Sequence, residues 1–188
     1  MKTTTKSIAI VLSSFILLSA CTSYKPDRSY MTKESTAKEE KILQESKDKY
    51  SQAKTDEEKQ KQLFEMGFRY QNLGDYSNAI SSYEQVLKLA PTHYQSLNNL
   101  AVMYEEMKKI PKALEYEKKL YESNVTDPEV INDIVRLLVE NNQINEAQSL
   151  LETFAKSSVA KDNLEFISGQ FVFIQDAKEK ELKKQSKK

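Results

Sequence analysis

Apolar residues recur along this chain with a period of 34 residues, beginning after Thr55. Thr55 and Glu58 have the spacing of a capping box, in which a threonine and a glutamate three residues later bond reciprocally at a helix start. Four columns then keep the period: Leu63, Leu97 and Ile131; Met66, Leu100 and Ile134; Tyr70, Tyr104 and Leu138; Ala79, Ala113 and Ala147. This period predicts three helix-turn-helix repeats, over residues 60–93, 94–127 and 128–161.

Small residues mark the places where the two helices of each repeat approach each other. Gly67, Ala101 and Val135 share a column in the first helices, opposite the alanine column of the second helices. Close helix approach requires small side chains at such positions. Gly74 and Asn142 stand at the turn between helices, where a left-handed backbone is favourable for Gly and Asn, and Lys108 takes the equivalent place in repeat two.

One column changes character in the second repeat. Glu117 stands where the neighbouring repeats have Tyr83 and Leu151, and Tyr116 lies one position away. A local shift of helix phase is one interpretation of this break. Pro111, and Asp127 followed by Pro128, are placed as expected for helix starts, so the register of the repeats is predicted to survive.

The segment after the repeats, residues 162–180, predicts one further helix that caps repeat three. Its apolar stripe is formed by Leu164, Ile167, Phe171 and Ile174, and Gly169 falls in the column of Gly67. A short strand over 170–175 is the alternative. Residues 181–188 form a lysine-rich tail, predicted to be a frayed and solvated helix end.

The segment before the repeats is polar. Residues 22–31 contain Pro26 and lack an apolar period, as a flexible tether would. Residues 32–54 are rich in Lys, Glu, Ser and Gln, and their few large apolar residues are Ile42, Leu43 and Tyr50. Thr36 and Glu39 fit a capping box, which predicts a solvated spacer helix.

The first twenty residues have the pattern of a bacterial export signal. Lys2 and Lys6 precede an apolar run from Ile8 to Ala20 that is too short to span a bilayer. The run ends in Leu18-Ser19-Ala20-Cys21, which resembles the lipobox of bacterial lipoproteins. That resemblance implies a signal peptide over 1–20 and a mature protein that begins at Cys21 and is anchored to a membrane through acyl chains on its thiol. The alternative is an ordinary secretory peptide cleaved after Ala20.

Composition and charge narrow the possible functions. The chain has only 3 Gly and 4 Pro in 188 residues, which favours an all-α fold. Outside the leader and the lysine-rich end the chain is acidic, which argues against nucleic-acid binding. The sole histidine, His93, has no partners for a zinc site, and the sequence offers no nucleophile with a base and no phosphate loop. We therefore expect no enzymatic activity, no metal and no cofactor.

The repeat pattern resembles that of the tetratricopeptide repeat. Residues 60–93 carry the signature residues Leu63, Met66, Gly67, Tyr70, Gly74, Tyr76, Ala79, Tyr83 and Pro91. The resemblance implies an all-α solenoid of three repeats with a capping helix, and a protein or peptide partner bound in a concave groove lined by the first helices. At matching positions the implied binding residues are Phe64, Phe68, Gln71, Asn98, Asn99, Val102, Glu105, Asn132, Asp133 and Arg136.

The family's basic clamp for a carboxylate terminus is missing from these positions. Phe64, Phe68, Glu129 and Asp133 stand where the clamp has Lys, Asn, Lys and Arg, and only Asn99 matches. Acidic residues would repel a free carboxylate, so the expected ligand is a neutral or basic segment. An alternative is that Phe64 and Phe68 are covered by the spacer helix.

The expected role is that of an interaction scaffold or assembly factor, anchored in the cell envelope. Thr22 after Cys21 favours the outer membrane, facing the periplasm, in a bacterium with two membranes, and otherwise the outer face of the plasma membrane. The alternative is a self-associating structural module. In that case Phe166 and Phe173, which lie off the stripe of the capping helix, form a second interface that joins two copies in a homodimer.

Overall fold

The chain is entirely helical wherever the structure, a computed structural model, describes it: residues 26–29, 31–123 and 127–186. These residues form eight α-helices: α1 Lys33–Gln52, α2 Asp56–Leu73, α3 Tyr76–Leu89, α4 Tyr94–Glu106, α5 Ile110–Glu122, α6 Pro128–Glu140, α7 Ile144–Ala155 and α8 Leu164–Gln185. The pairs α2–α3, α4–α5 and α6–α7 correspond to the three predicted repeats. No strand occurs in the described ranges, and the segment 170–175 lies within α8.

Two compact units divide the chain, Met1–Ser96 and Leu97–Lys188. The first contains α1 to α3, and the second contains most of α4 together with α5 to α8. Each builds its own apolar core. The predicted signal peptide, Cys21 and half of the tether lie outside the described residues.

Capping residues set the starts of the helices in the first unit. Thr55 and Glu58 form the predicted capping box at the start of α2. Helix α1 begins at Lys33, because Thr32 accepts from the Ser35 amide and the Ser35 side chain bonds back to the Thr32 amide. The predicted box at Thr36 and Glu39 is therefore wrong: the hydroxyl of Ser35 completes the box four residues earlier.

Helix α1 packs along α2, whereas the sequence suggested a solvated spacer. Leu43 and Ser46 of α1 are buried. Glu39 accepts from Arg69 Nη1 at 2.9 Å and from Asn72 Nδ2 at 3.2 Å, and Lys47 Nζ lies 5.3 Å from the centre of the Tyr70 ring. The buried Leu43 and these polar contacts hold α1 against α2, although the apolar stripe of α1 is thin.

The N-terminal segment before α1 contacts the end of α2. The guanidinium of Arg28 donates to the main-chain oxygens of Gln71 and Asn72. These carbonyls lie at the C-terminus of the helix, where a cation is favourable. A Cβ on Gly74 would lie 3.2 Å from Arg28 Nε, so this segment of the predicted tether rests against the turn of repeat one.

The α2–α3 pair shows why repeat one needs small residues. Ala79 is fully buried, and a Cβ on Gly67 would lie 2.7 Å from the ring of Tyr83. The hydroxyl of Tyr83 donates to Gln71 Oε1 at 2.9 Å, which fixes the ring in the gap that Gly67 leaves.

All three turns between paired helices use the left-handed backbone. Gly74 has a φ of 78°, Lys108 of 57° and Asn142 of 60°. The turn predicted at Gly74 and Asn142 is therefore present, and Lys108 adopts the same conformation without the advantage of glycine.

The second unit is held together by the apolar columns of the sequence. Its fully buried side chains include Leu97, Leu100, Met103, Leu120, Ile131, Ile134, Leu137, Leu138, Leu151 and Ile174. Tyr104 and Tyr116 stack with their ring centres 5.6 Å apart, which joins α4 to α5. Asp127 caps α6 by accepting from the Glu129 amide, and Pro128 is the first residue of that helix, as predicted.

Helix α8 is longer than the predicted capping helix and begins after a 3-10 turn, Ser158–Asn163. Ile167 and Ile174 are buried, but Leu164 is exposed, so the predicted sealing stripe is shorter than expected. A Cβ on Gly169 would meet nothing within 4 Å. Gly169 therefore shares the column of Gly67 without the close approach found there.

Candidate partner-binding surfaces

The predicted binding residues of the first unit lie on α2 and differ in exposure. Phe64 is partly buried, with its ring centre 5.7 Å from that of Tyr83 and 5.2 Å from that of His93. Gln71 is engaged by the Tyr83 hydroxyl. Phe68 is 38% exposed, and the guanidinium of Arg69 lies 4.8 Å from its ring centre. Phe68 is thus the residue of this set that offers an apolar surface to a partner.

Helix α1 contacts a neighbouring face of α2 rather than the one that carries Phe68. Its polar contacts reach Arg69, Tyr70 and Asn72. Since Phe68 keeps its exposure with α1 in place, packing of the spacer helix leaves this surface open.

His93 has a structural position that the sequence did not reveal. Its Nδ1 lies 2.9 Å from Ser96 Oγ and accepts from the Ser96 amide, at the start of α4. Partial burial lowers the pKa of His93 below its ordinary value, so the ring is neutral at pH 7. It packs against Phe64 and precedes the first residue of α4.

In the second unit, α4 presents Asn98, Asn99 and Val102, which the sequence predicted as binding residues. Both asparagines are partly exposed, and Val102 is 40% exposed. Exposed side chains on the first helix of a repeat are consistent with a binding surface.

Three predicted residues meet in one charged cluster, which we call the Arg136 cluster: Glu105 of α4 with Asp133 and Arg136 of α6. Arg136 donates to both Glu105 carboxylate oxygens, at 2.5 and 2.9 Å, and to Asp133 at 3.1 Å. These bonds raise the pKa of Arg136, so it stays charged at every practical pH. The paired geometry was not predicted, because the residues belong to different repeats.

Glu117 of α5 is 4% exposed and lies near enough to this cluster for the charges of Glu105, Asp133 and Arg136 to act on it. Burial, and then the charge of Asp133, raise the pKa of Glu117 to about 7, against the opposing effect of Arg136. The break in the Tyr83 and Leu151 column was the sequence signal for it. The suggested shift of helix phase is wrong, since Glu117 and Tyr116 are both buried and the helix keeps its register.

Asn132 differs from its neighbours, because α8 reaches it. Gln170 Nε2 donates to Asn132 Oδ1 at 2.8 Å. A partner that used the Asn132 carbonyl would have to displace this bond.

The two phenylalanines predicted as a second interface lie in different environments on α8. Phe166 is partly buried and packs edge-on against Phe154, with ring centres 6.3 Å apart. Phe173 is 42% exposed and adjoins the exposed Val172. Only Phe173 therefore offers apolar surface for self-association.

Comparison with known proteins identifies the repeat. Residues 60–93 and 82–115 each match the tetratricopeptide repeat. The chain carries tetratricopeptide repeats. Its fold is the predicted all-α tetratricopeptide solenoid, and the third repeat rests on the period and on helices α6 and α7.

Relatives match only part of the chain. The Photosystem I assembly protein Ycf3 of Prochlorococcus marinus is 37% identical over 71 residues, which are 36% of this chain and 41% of that protein. The uncharacterized protein ycf37 of Pyropia yezoensis is 41% identical over 61 residues, 32% of each chain. The chain thus spans between a third and two fifths of the length of these relatives.

A solved structure supports the fold. The chain titled MamA RS-1 ArsTM double mutant superposes with a TM-score of 0.53 at 18% identity, over 77% of this chain and 88% of that one. At this identity the likeness concerns the helical architecture alone.

Membrane-spanning helices and metal-binding clusters are both absent from the described ranges. No helix there is long and apolar enough to cross a bilayer. No group of three His, Cys, Asp or Glu side chains there could hold a metal ion.

Proposed function

We propose that this protein is a non-enzymatic scaffold or assembly factor that binds a segment of a partner protein with the first helices of its repeats. The observation that carries the proposal is the exposure of Phe68 on α2 and Val102 on α4. Apolar side chains exposed on the first helices, which line the binding surface that the repeat family implies, offer anchors that a partner can cover. Tetratricopeptide repeats imply a protein partner.

The assembly role gains support from a relative. Ycf3 is named as an assembly protein, and its match spans 71 residues of this chain. From this name we infer for the present chain only that its repeats hold a partner during assembly.

The envelope location is part of the proposal and depends on the leader. The lipobox-like sequence before Cys21 supports a lipid anchor, and Thr22 supports the outer membrane over the inner one in a bacterium with two membranes. In a bacterium with one membrane the repeats would face outward.

Photocrosslinking in intact membranes tests the binding surface. A photoreactive phenylalanine analogue placed at Phe68 in the first unit, or at Val102 in the second, is expected in each case to give a partner adduct, because each side chain is exposed on a first helix. Ser81, an exposed position on the second helix α3, is the matched control and should give none of it. The proposal fails if the adduct pattern at Ser81 equals the patterns at the other two sites.

Self-association is the second candidate, and the exposed pair Val172 and Phe173 favours it. Sedimentation of the detergent-solubilised chain would show a dimer that dissociates in Phe173→Asp. A monomeric chain would remove this candidate.

A further inference from the structure

The Arg136 cluster and the buried Glu117 together hold three carboxylates and one guanidinium. Arg136 satisfies Glu105 with two hydrogen bonds and Asp133 with one. With all four groups ionised, the cluster would carry a net charge of −2. It is therefore short of positive charge.

Glu117 is the group that the single arginine leaves without a bond. Within the described part of the chain its carboxylate has no hydrogen bond and no ion pair, although the residue is more than nine-tenths buried. An ionised carboxylate in such a place is unfavourable unless a cation joins it. Below about pH 7, in the unliganded protein, a proton takes that place, as the raised pKa of Glu117 indicates.

The cluster above Glu117 remains accessible from solvent. The side chains of Glu105, Asp133 and Arg136 are between 31% and 41% exposed. The charged groups that act on Glu117 are Glu105 from α4 and Asp133 and Arg136 from α6. An incoming cation would therefore meet two partly exposed carboxylates first and Glu117 beneath them.

We propose that Glu105, Glu117 and Asp133 form a subsite for a lysine or arginine side chain of the bound partner. This inference rests on the proposed function, because it assigns chemistry to one position of the partner segment. The side-chain cation supplies the missing positive charge, and Arg136 holds the two outer carboxylates in place for it. A neutral or acidic side chain at this position would leave the excess negative charge uncompensated.

On binding, the charged side chain of the partner replaces the proton on Glu117. The ammonium or guanidinium enters already protonated, and the proton on Glu117 leaves to solvent, so the net charge of the subsite is unchanged. Below pH 7 affinity should rise with pH, by up to about tenfold per unit, because proton release accompanies binding. Above pH 7 the carboxylate is already ionised and the affinity levels off.

A random library of twelve-residue peptides, selected on the full chain in detergent at pH 8, tests the subsite first. The selected peptides should share a lysine or arginine at one fixed position. Binders without a basic residue would overturn the subsite and leave the scaffold proposal standing. A selection that yields no binder would overturn both.

Affinities of one selected peptide, blocked at its ends and free of His, Asp and Glu, then test Glu117 itself. Glu117→Gln should bind at least tenfold more weakly than wild type at pH 8.5 and equally well at pH 5.5, where wild type carries the proton. Glu140→Gln removes an exposed carboxylate of α6 and is the matched control, which should bind like wild type at both values. An equal loss for Glu117→Gln at both pH values would overturn the proposal.

Discussion

Two glycines of the same sequence column occupy opposite environments. A Cβ on Gly67 would lie 2.7 Å from the ring of Tyr83, whereas one on Gly169 would meet nothing within 4 Å. Both lie inside α-helices, where glycine itself is unfavourable by about 0.5–1 kcal/mol relative to alanine. The local packing therefore decides whether alanine at each position raises or lowers the free energy of unfolding.

Alanine substitution at these two positions should have opposite effects. Gly67→Ala is expected to lower the free energy of unfolding by about 1–2 kcal/mol, because Tyr83 is held by Gln71 and cannot easily yield. Gly169→Ala should raise it by up to about 1 kcal/mol. Urea denaturation followed by circular dichroism measures both, and a stabilising Gly67→Ala would contradict the close approach of α2 and α3.

The buried Glu117 makes the stability of the second unit depend on pH. Its pKa rises from an ordinary value near 4.5 in the unfolded chain to about 7 when folded. The folded state therefore binds the proton more strongly, and stability falls as pH rises from about 4.5 to 7 and then stays constant.

Glu117→Gln should remove this dependence. Relative to wild type, the variant is expected to gain on the order of 3 kcal/mol between pH 4.5 and pH 8, since its side chain cannot ionise. Denaturation midpoints across that range provide the measurement, with Glu140→Gln as the charge-matched control. Identical profiles for the two variants would show that Glu117 ionises as freely as a surface carboxylate.

At the scale of helices, the repeat elements and the existence of α1 could be predicted from the sequence, but the polar attachment of α1 to α2 could not. The pairs α2–α3, α4–α5 and α6–α7 follow from the 34-residue period, because every pair buries its members of the Leu63 and Ala79 columns. Helix α1 belongs to no repeat, and its attachment depends on Leu43 together with Glu39 and Lys47. Charged residues on a helix usually indicate a solvated face, so the sequence pattern favoured a helix that does not pack on the repeats.

The packing of α1 predicts slow proteolysis. Trypsin should cleave wild type after Lys47 and Lys49 much more slowly than an unstructured peptide, because cleavage requires α1 to open. Leu43→Ala removes the buried leucine at a cost of about 2 kcal/mol and should speed cleavage by roughly thirtyfold. The neighbouring Gln44→Ala, at an exposed position, is the control. Rapid cleavage of wild type would mean that α1 is free in solution.

The binding surfaces, too, could be predicted only in part from the sequence. The first-helix positions named from the repeat pattern include Phe68 and Val102, which are indeed exposed. The bonds of Arg136 to Glu105 join residues 31 positions apart, and the involvement of Glu117 depends on its burial. Such properties follow from tertiary packing, which a single sequence does not specify.

For the molecule as a whole, the anchor is the decisive prediction. Cys21→Ser should move the protein from the membrane pellet to the supernatant after cell fractionation, because the only thiol is lost. Retention of the variant in a carbonate-washed pellet would contradict lipidation. Thr22→Ser is the matched control and should remain in the pellet.

The contact of Arg28 with the end of α2 limits how far the repeats could stray from an anchored Cys21. Because Pro26 and Arg28 both lie against the turn at Gly74, the chain between Cys21 and Pro26 can span at most about 17 Å, against roughly 40 Å if the first contact were the start of α1. A tether less than half as long confines the repeats to a volume roughly tenfold smaller. Partners in the same membrane would then meet them at a correspondingly higher effective concentration.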